Sequence, residues 1–293
     1  MLFHRVLPRG RVNGVTEARQ LTDTIRSKDG TVIRYLRRGG GGPPLLLIHG
    51  TNANHSAWSQ VVPALETHFT VYAMDRRGYG SSEDAQSYHF ESEIEDIQAL
   101  VDAVREGPAN IVAHSYGAIC ALEAAHRSRR VHRLALYEPP IPTYAGAYYG
   151  RKSIEAIRRL VARGDWEAAV ETFYAKIVRL APSELAAMRS RPGWGEHART
   201  AQKILRELES VDRYQLKPER FRDWITPTLL LLGGDSARPY RATAAKLNAA
   251  LPGSAIAILE GQRHAAVSSA PAMFVREIVA FIKGQSPGAT GTP

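Results

Sequence analysis

The stretch "IVAHSYGA", Ile111 to Ala118, decides how the chain is read. An apolar run, Ile111 to Ala113, leads toward Ser115, and a run of small and apolar residues from Gly117 to Leu122 follows it. The first suits a short buried strand and the second a helix. Ser115 therefore stands at a sharp strand-to-helix turn of the G-x-S-x-G type, where small residues two places before and after the serine let strand and helix approach closely. Ala113 takes the place of the first glycine and Gly117 that of the second, so the motif is relaxed by one methyl group and not broken.

Outward from this turn the chain alternates. On the N-terminal side, "LLLIHG" (45–50) and "FTVYAMD" (69–75) are continuous apolar runs of the kind buried on both faces of a sheet, and "TVIRYLRR" (31–38) alternates loosely as another strand. "ESEIEDIQALVDAVREG" (91–107) spaces Ile94, Ile97, Val101 and Val104 at helical intervals, with acids early and Gly107 as a stop. On the C-terminal side, "VHRLALYEPP" (131–140), "PTLLLLGG" (227–234) and "SAIAILEG" (254–261) are further strands, and "PAMFVREIVAFIKG" (271–284) is a closing amphipathic helix. Between about 141 and 224, helical segments such as "SIEAIRRLVARG" and "WEAAVETFYAKIVRL" succeed one another with no strand among them. The order predicts an α/β fold with a mostly parallel sheet covered on both faces. Its core spans 22–140 and 225–283, an all-helical insertion spans 141–224, and flexible ends lie at 1–21 and 284–293. Ligands of such sheets bind at the carboxyl ends of the strands.

The chain has 293 residues, 44% hydrophobic and 23% charged, enough for a substantial core. Its single cysteine, Cys120, excludes an internal disulfide and reads as a small buried hydrophobe in a reducing compartment. With no signal-peptide pattern and no run of about eighteen apolar residues, a soluble cytoplasmic protein is expected, without a membrane partner. The net charge of +9 is scattered, as in "HRSRRVHR" (126–133), and interleaved with apolar and acidic positions. No zinc-ligand spacing or recognition-helix pattern accompanies it, so a solvated surface is expected and no nucleic acid, although such a field can attract anionic substrates.

A serine hydroxyl becomes a nucleophile when a base takes its proton, and the base works best when a carboxylate fixes its tautomer. His264, on the loop "LEGQRHAAV" after the last strand, is the histidine placed for this. These segments together resemble the α/β-hydrolase superfamily, through "HG" at 49–50, "DRRGYGSS" at 75–82, "AHSYGA", "YEPP" at 137–140, "LLLLGGD" and "LEGQRH". The resemblance covers about residues 22 to 283 and implies an eight-stranded sheet with a helical cap inserted after the sixth strand. It implies an oxyanion hole from the backbone N–H groups of Tyr116 and Thr51. It leaves the acid open between Asp235, in "GGDSARPY", one residue short of the usual spacing that falls on Ser236, and Glu138, ahead of two prolines.

The expected activity is cofactor-independent and metal-independent hydrolysis of a small-molecule carboxylic ester or lactone by Ser115. Carbon–carbon bond hydrolysis, perhydrolysis or a lyase reaction on the same scaffold, or slow turnover in a ligand-binding protein, are the alternatives. His114 is expected to pack or hydrogen-bond under the elbow, Trp58 to anchor a helix, and Asp75-Arg76-Arg77 to be structural, with Arg76 and Arg77 available for ion pairs below the site. Tyr144, Tyr148 and Trp194 in the cap are candidates to line a pocket, and Gly146 and Gly150 to act as hinges. Arg263 departs from the usual glycine before His264.

Overall fold

The computed structural model describes residues 22–143, 148–180, 182–190 and 194–285. Eight strands, β1 (Thr22–Arg26), β2 (Val32–Arg38), β3 (Pro44–Ile48), β4 (Thr70–Asp75), β5 (Ala109–His114), β6 (Val131–Tyr137), β7 (Thr228–Gly233) and β8 (Ala255–Leu259), form one sheet in the order β1-β2-β4-β3-β5-β6-β7-β8. Strand β2 is antiparallel to both neighbours, and β3 through β8 pair in parallel. The apolar runs explain the centre: every residue of β3, β4 and β7 is buried, as parallel strands covered on two faces require. Strand β1 had no apolar signature, because "TDTIR" is a polar edge strand in which Ile25 packs against the core.

Alternation along the strands divides the core. Leu46 and Ile48 pack with helices α2 (Phe90–Ala103) and α3 (Tyr116–His126) on one face. Leu45 and Leu47 pack on the other with Trp58, α1 (Val62–Leu65) and the closing helix α11 (Pro271–Ile282). Between β6 and β7 the chain makes helices α4 (Arg151–Ala162), α5 (Trp166–Thr172), a π-helical turn (Phe173–Val178), α6 (Pro182–Arg189), α7 (Trp194–Ala198) and α8 (Ala201–Arg213). They share their own apolar cluster, including Ile157, Val170, Phe173, Ile204 and Leu208. Helices α9 (Arg238–Ala250) and α10 (Ala266–Ser269) complete the chain around β8. Among the described residues no helix is long and apolar enough to cross a membrane.

A buried charge cluster ties cap to core. Arg76, fully buried just past β4, donates to Glu93 of α2 at 2.8 and 3.0 Å and to Glu207 of α8 at 2.6 Å. Arg77 makes a bidentate pair with Asp96 at 2.7 Å and reaches Asp29. Burial pushes the Glu207 carboxyl up, and the Arg76 guanidinium opposes that push. Removing one partner of such a group leaves an uncompensated buried charge, so Arg76→Met is expected to cost about 3–5 kcal/mol in urea unfolding near neutral pH. A carboxyl raised above its unfolded value stabilises the fold at low pH, and loses that contribution as pH rises through the folded value. The variant's deficit is therefore expected to shrink on acidification toward pH 5, and a pH-independent deficit would contradict this account.

Candidate active site

Ser115 sits between β5 and α3 with φ 53° and ψ −126°, a backbone that L-residues avoid. Two backbone bonds hold it there: Ser115 N–H donates to the Tyr137 carbonyl, and the Ser115 carbonyl accepts from Ala118 N–H, both at 2.9 Å. Two glycines make the turn possible. A Cβ on Gly117 would lie 2.3 Å from the His49 carbonyl oxygen, and one on Gly50 would lie 2.9 Å from Ser115 Cβ. The loop after β3 thus presses against the serine. Gly117→Ala is expected to destabilise the protein by about 2 kcal/mol, because the atom it would strike is backbone. Guanidinium unfolding reads this, and a neutral substitution would show that the loop and α3 can separate freely.

The imidazole of His264 is hydrogen-bonded to Glu138. Nδ1 of His264 lies 2.6 Å from Glu138 Oε2, and Glu138 Oε1 accepts from Gly233 N–H at 2.8 Å, so both carboxylate oxygens are engaged in a buried position. Glu138 itself has φ 47° at the end of β6. Asp235 is exposed, with its N–H donating to the Gln262 carbonyl, and among the described residues no hydrogen bond joins it to His264. The bend after Gly233 turns Ser236 inward and Asp235 outward. No hydrogen bond of Ser115 Oγ to His264 is formed among the described residues. Such bonds are often long before substrate binds.

Three aromatic groups position the His264 loop. His114 Nε2 donates to the His264 carbonyl at 2.9 Å, and burial holds the His114 imidazole well below its usual range, hence neutral. Its ring stacks on Tyr137, the residue paired with it across β5 and β6, with centroids 5.0 Å apart. The Tyr137 hydroxyl donates to the Arg263 carbonyl and accepts from Ala266 N–H. Tyr240 stacks on His264 at 4.6 Å. Sequence reasoning missed Tyr137 and Tyr240; the available clue was that Tyr137, like His114, is the last residue of a parallel strand.

Tyr116 follows the serine at the start of α3, where first-turn N–H groups lack helical partners. On the facing loop His49 is buried, accepting from Arg76 N–H at Nε2, and burial with the nearby Arg76 guanidinium holds its pKa down to about 3. Asn52, with φ 56°, is braced by the cap: its amide nitrogen lies 3.1 Å from Tyr174 Oη and 2.9 Å from His197 Nε2, and its oxygen accepts from Thr200. None of these cap contacts was read from the sequence, because they join positions more than a hundred residues apart.

A cavity of about 300 Å³ abuts His264 and is lined by Tyr148, Tyr240, Lys176, Arg179 and Arg263 among others. Tyr148 therefore lies where a pocket was expected. Trp194 packs with the cap cluster, its ring 5.7 Å from that of His197. Tyr144 and Gly146 lie outside the described residues, and Gly150 caps α4. Trp58 packs on Phe274 and Cys120 is fully buried.

Residues 45–277 match the profile described as the alpha/beta hydrolase family. An alpha/beta hydrolase from Sphaerobacter thermophilus is 31% identical and superposes with a TM-score of 0.76, covering 89% of this chain and 100% of that one. A 2-(acetamidomethylene)succinate hydrolase from Mesorhizobium japonicum is 25% identical over 263 residues, 86% of this chain and 92% of the relative. A fluoroacetate dehalogenase from Burkholderia sp. is 32% identical over a shorter span, 44% of this chain and 42% of the relative.

Proposed function

Since the chain belongs to the alpha/beta hydrolase family, we propose that it is a serine hydrolase that cleaves a small-molecule carboxylic ester or lactone through an acyl-enzyme. The observation that carries this reading is the His264–Glu138 hydrogen bond of 2.6 Å next to the strained Ser115 turn. With Nδ1 bonded to Glu138, the Nε2 of His264 is the nitrogen left to act as base. It takes the Ser115 proton as Oγ attacks the acyl carbon, and the amides of Thr51 and Tyr116 receive the charge that develops on the carbonyl oxygen. His264 then returns the proton to the leaving alcohol. In the second half a water attacks the acyl-serine by the same route, releasing the acid and regenerating Ser115.

The nucleophile's chemistry limits the alternatives. Displacement of a halide by serine would leave an alkyl ether, which water does not readily cleave, whereas an acyl-serine ester hydrolyses. Similarity to a dehalogenase over part of the chain is therefore no support for that reaction here. Amide hydrolysis is the second reading, because the name of the Mesorhizobium relative describes an acetamido substrate and its match spans nearly the whole chain.

Fluorophosphonate treatment followed by intact-protein mass spectrometry tests the reading together with turnover of short-chain aryl esters, lactones and N-acyl compounds. One adduct per chain and turnover of an ester or lactone are expected. Folded protein that neither labels nor turns over any of them would overturn the proposal, and turnover confined to N-acyl compounds would replace it with the second reading.

A further inference from the structure

Among the described residues four non-glycine positions have positive φ: Asn52, Ser115, Glu138 and Arg179. Left-handed backbone costs an L-residue about 1–2 kcal/mol and gathers where function over-determines it. Three of the four adjoin the reacting groups just described. The fourth, Arg179, has φ 62° and ψ 42° where the π-helical turn ends, and it lines the cavity beside His264. The turn is itself irregular, and single π-helical turns occur often at functional sites.

The geometry points to Arg179, with Lys176 and Arg263, as a seat for a carboxylate carried by the substrate, away from the scissile carbonyl. Lys176 and Arg179 reach the cavity from the cap and Arg263 from the His264 loop, so cations from two separate segments converge on it. Among the described residues none of the three forms an ion pair, and the one acid lining the cavity, Asp235, is exposed and unpaired as well. Several other cap arginines do form ion pairs: Arg158 with Glu155 and Glu209, Arg159 with Glu155, Arg189 with Glu171 and Arg206 with Asp84. Arg179 and His264 line the same cavity, so this cation borders the space beside the His264–Glu138 pair. Tyr148 lines the same cavity, with its hydroxyl buried near the Thr243 side chain. The +9 net charge adds long-range attraction for the same class of molecule.

This inference rests on the hydrolase reading for where the acyl group lies, but the anion seat is tested by binding alone. Titration calorimetry on Ser115→Ala protein would compare monomethyl glutarate with neutral dimethyl glutarate. The monoanion is expected to bind about tenfold tighter at low salt, as a charge-assisted contact would give, with the preference shrinking as salt screens the rim. Arg179→Gly keeps the left-handed backbone unstrained while removing the guanidinium, so it is expected to fold normally and lose most of that preference. Equal affinities in the parent, or a preference that survives Arg179→Gly combined with Lys176→Gln and Arg263→Gln, would overturn the seat. Fluorophosphonate labelling of the unsubstituted protein reports separately on the hydrolase reading, so the two can fail independently.

Discussion

Ser115→Ala is expected to abolish the fluorophosphonate adduct and to lower kcat on any accepted ester by about 10⁵-fold or more, the scale seen when a serine nucleophile is removed from a triad. The structure supplies the physical reason. Ser115 stands in a conformation with φ 53° whose cost is borne by the β5–α3 junction, by Gly117 against the His49 carbonyl and by Gly50 against Ser115 Cβ. Alanine fits the same backbone as well or as badly as serine does, so the loss is expected without a fall in Tm, and thermal unfolding beside the rate measurement separates chemistry from folding. If Ser115→Ala retained the adduct, another nucleophile would be reacting and the role given to the turn would be wrong. If it lost only a few-fold in rate, catalysis would lie mainly in polarising the carbonyl, and the strain at Ser115 would have no chemical purpose.

How much of this was legible in the chain depends on the range of the interaction. Short-range patterns carried the fold: the apolar runs at Leu45–Ile48, Val71–Met74 and Leu229–Leu232 became fully buried parallel strands, and the spacing of Ile94, Ile97 and Val101 became the buried face of α2. Strand β1 was silent because an edge strand needs no apolar period. The site was legible only in part. Ser115, His264 and the Gly50–Thr51 loop announce themselves by local turn chemistry. The choice between Glu138 and Asp235 could not be made locally, since it depends on which side chain the bend after Gly233 leaves facing His264. Contacts such as Asn52 with Tyr174 and Thr200, or Arg76 with Glu207, depend on how the cap settles on the core. Charge patterning gave Arg76 and Arg77 as ion-pair formers but offered no clue that Arg179 would adopt a left-handed backbone.

The second large effect separates the two carboxylates. Glu138→Gln is expected to lower kcat about 10⁴-fold, as loss of the orienting acid does in other triads, while Asp235→Asn stays within a few-fold of the parent. The argument turns on hydrogen-bond polarity. The carboxylate of Glu138 only accepts, so His264 Nδ1 must donate and Nε2 is left free to take the serine proton. In Glu138→Gln, one side-chain atom must still accept from Gly233 N–H, 2.8 Å from Oε1. The carbonyl oxygen satisfies that need, which turns the amide –NH₂ toward His264 and reverses the bond. Nδ1 becomes the acceptor, the proton moves to Nε2, and the base is lost even though the packing is preserved. This makes the Gly233 amide a positioning group: it forces glutamine into the wrong orientation. Glu138→Ala removes that forced reversal along with the carboxylate, so it is expected to retain more activity than Glu138→Gln. Steady-state rates for the three variants on one ester decide the matter. If Glu138→Gln were nearly as active as the parent and Asp235→Asn severely impaired, the acid would be Asp235, brought to His264 by a rearrangement of the 233–236 turn. If Glu138→Ala and Glu138→Gln were equally impaired, the tautomer argument would fail and Glu138 would act through its charge alone.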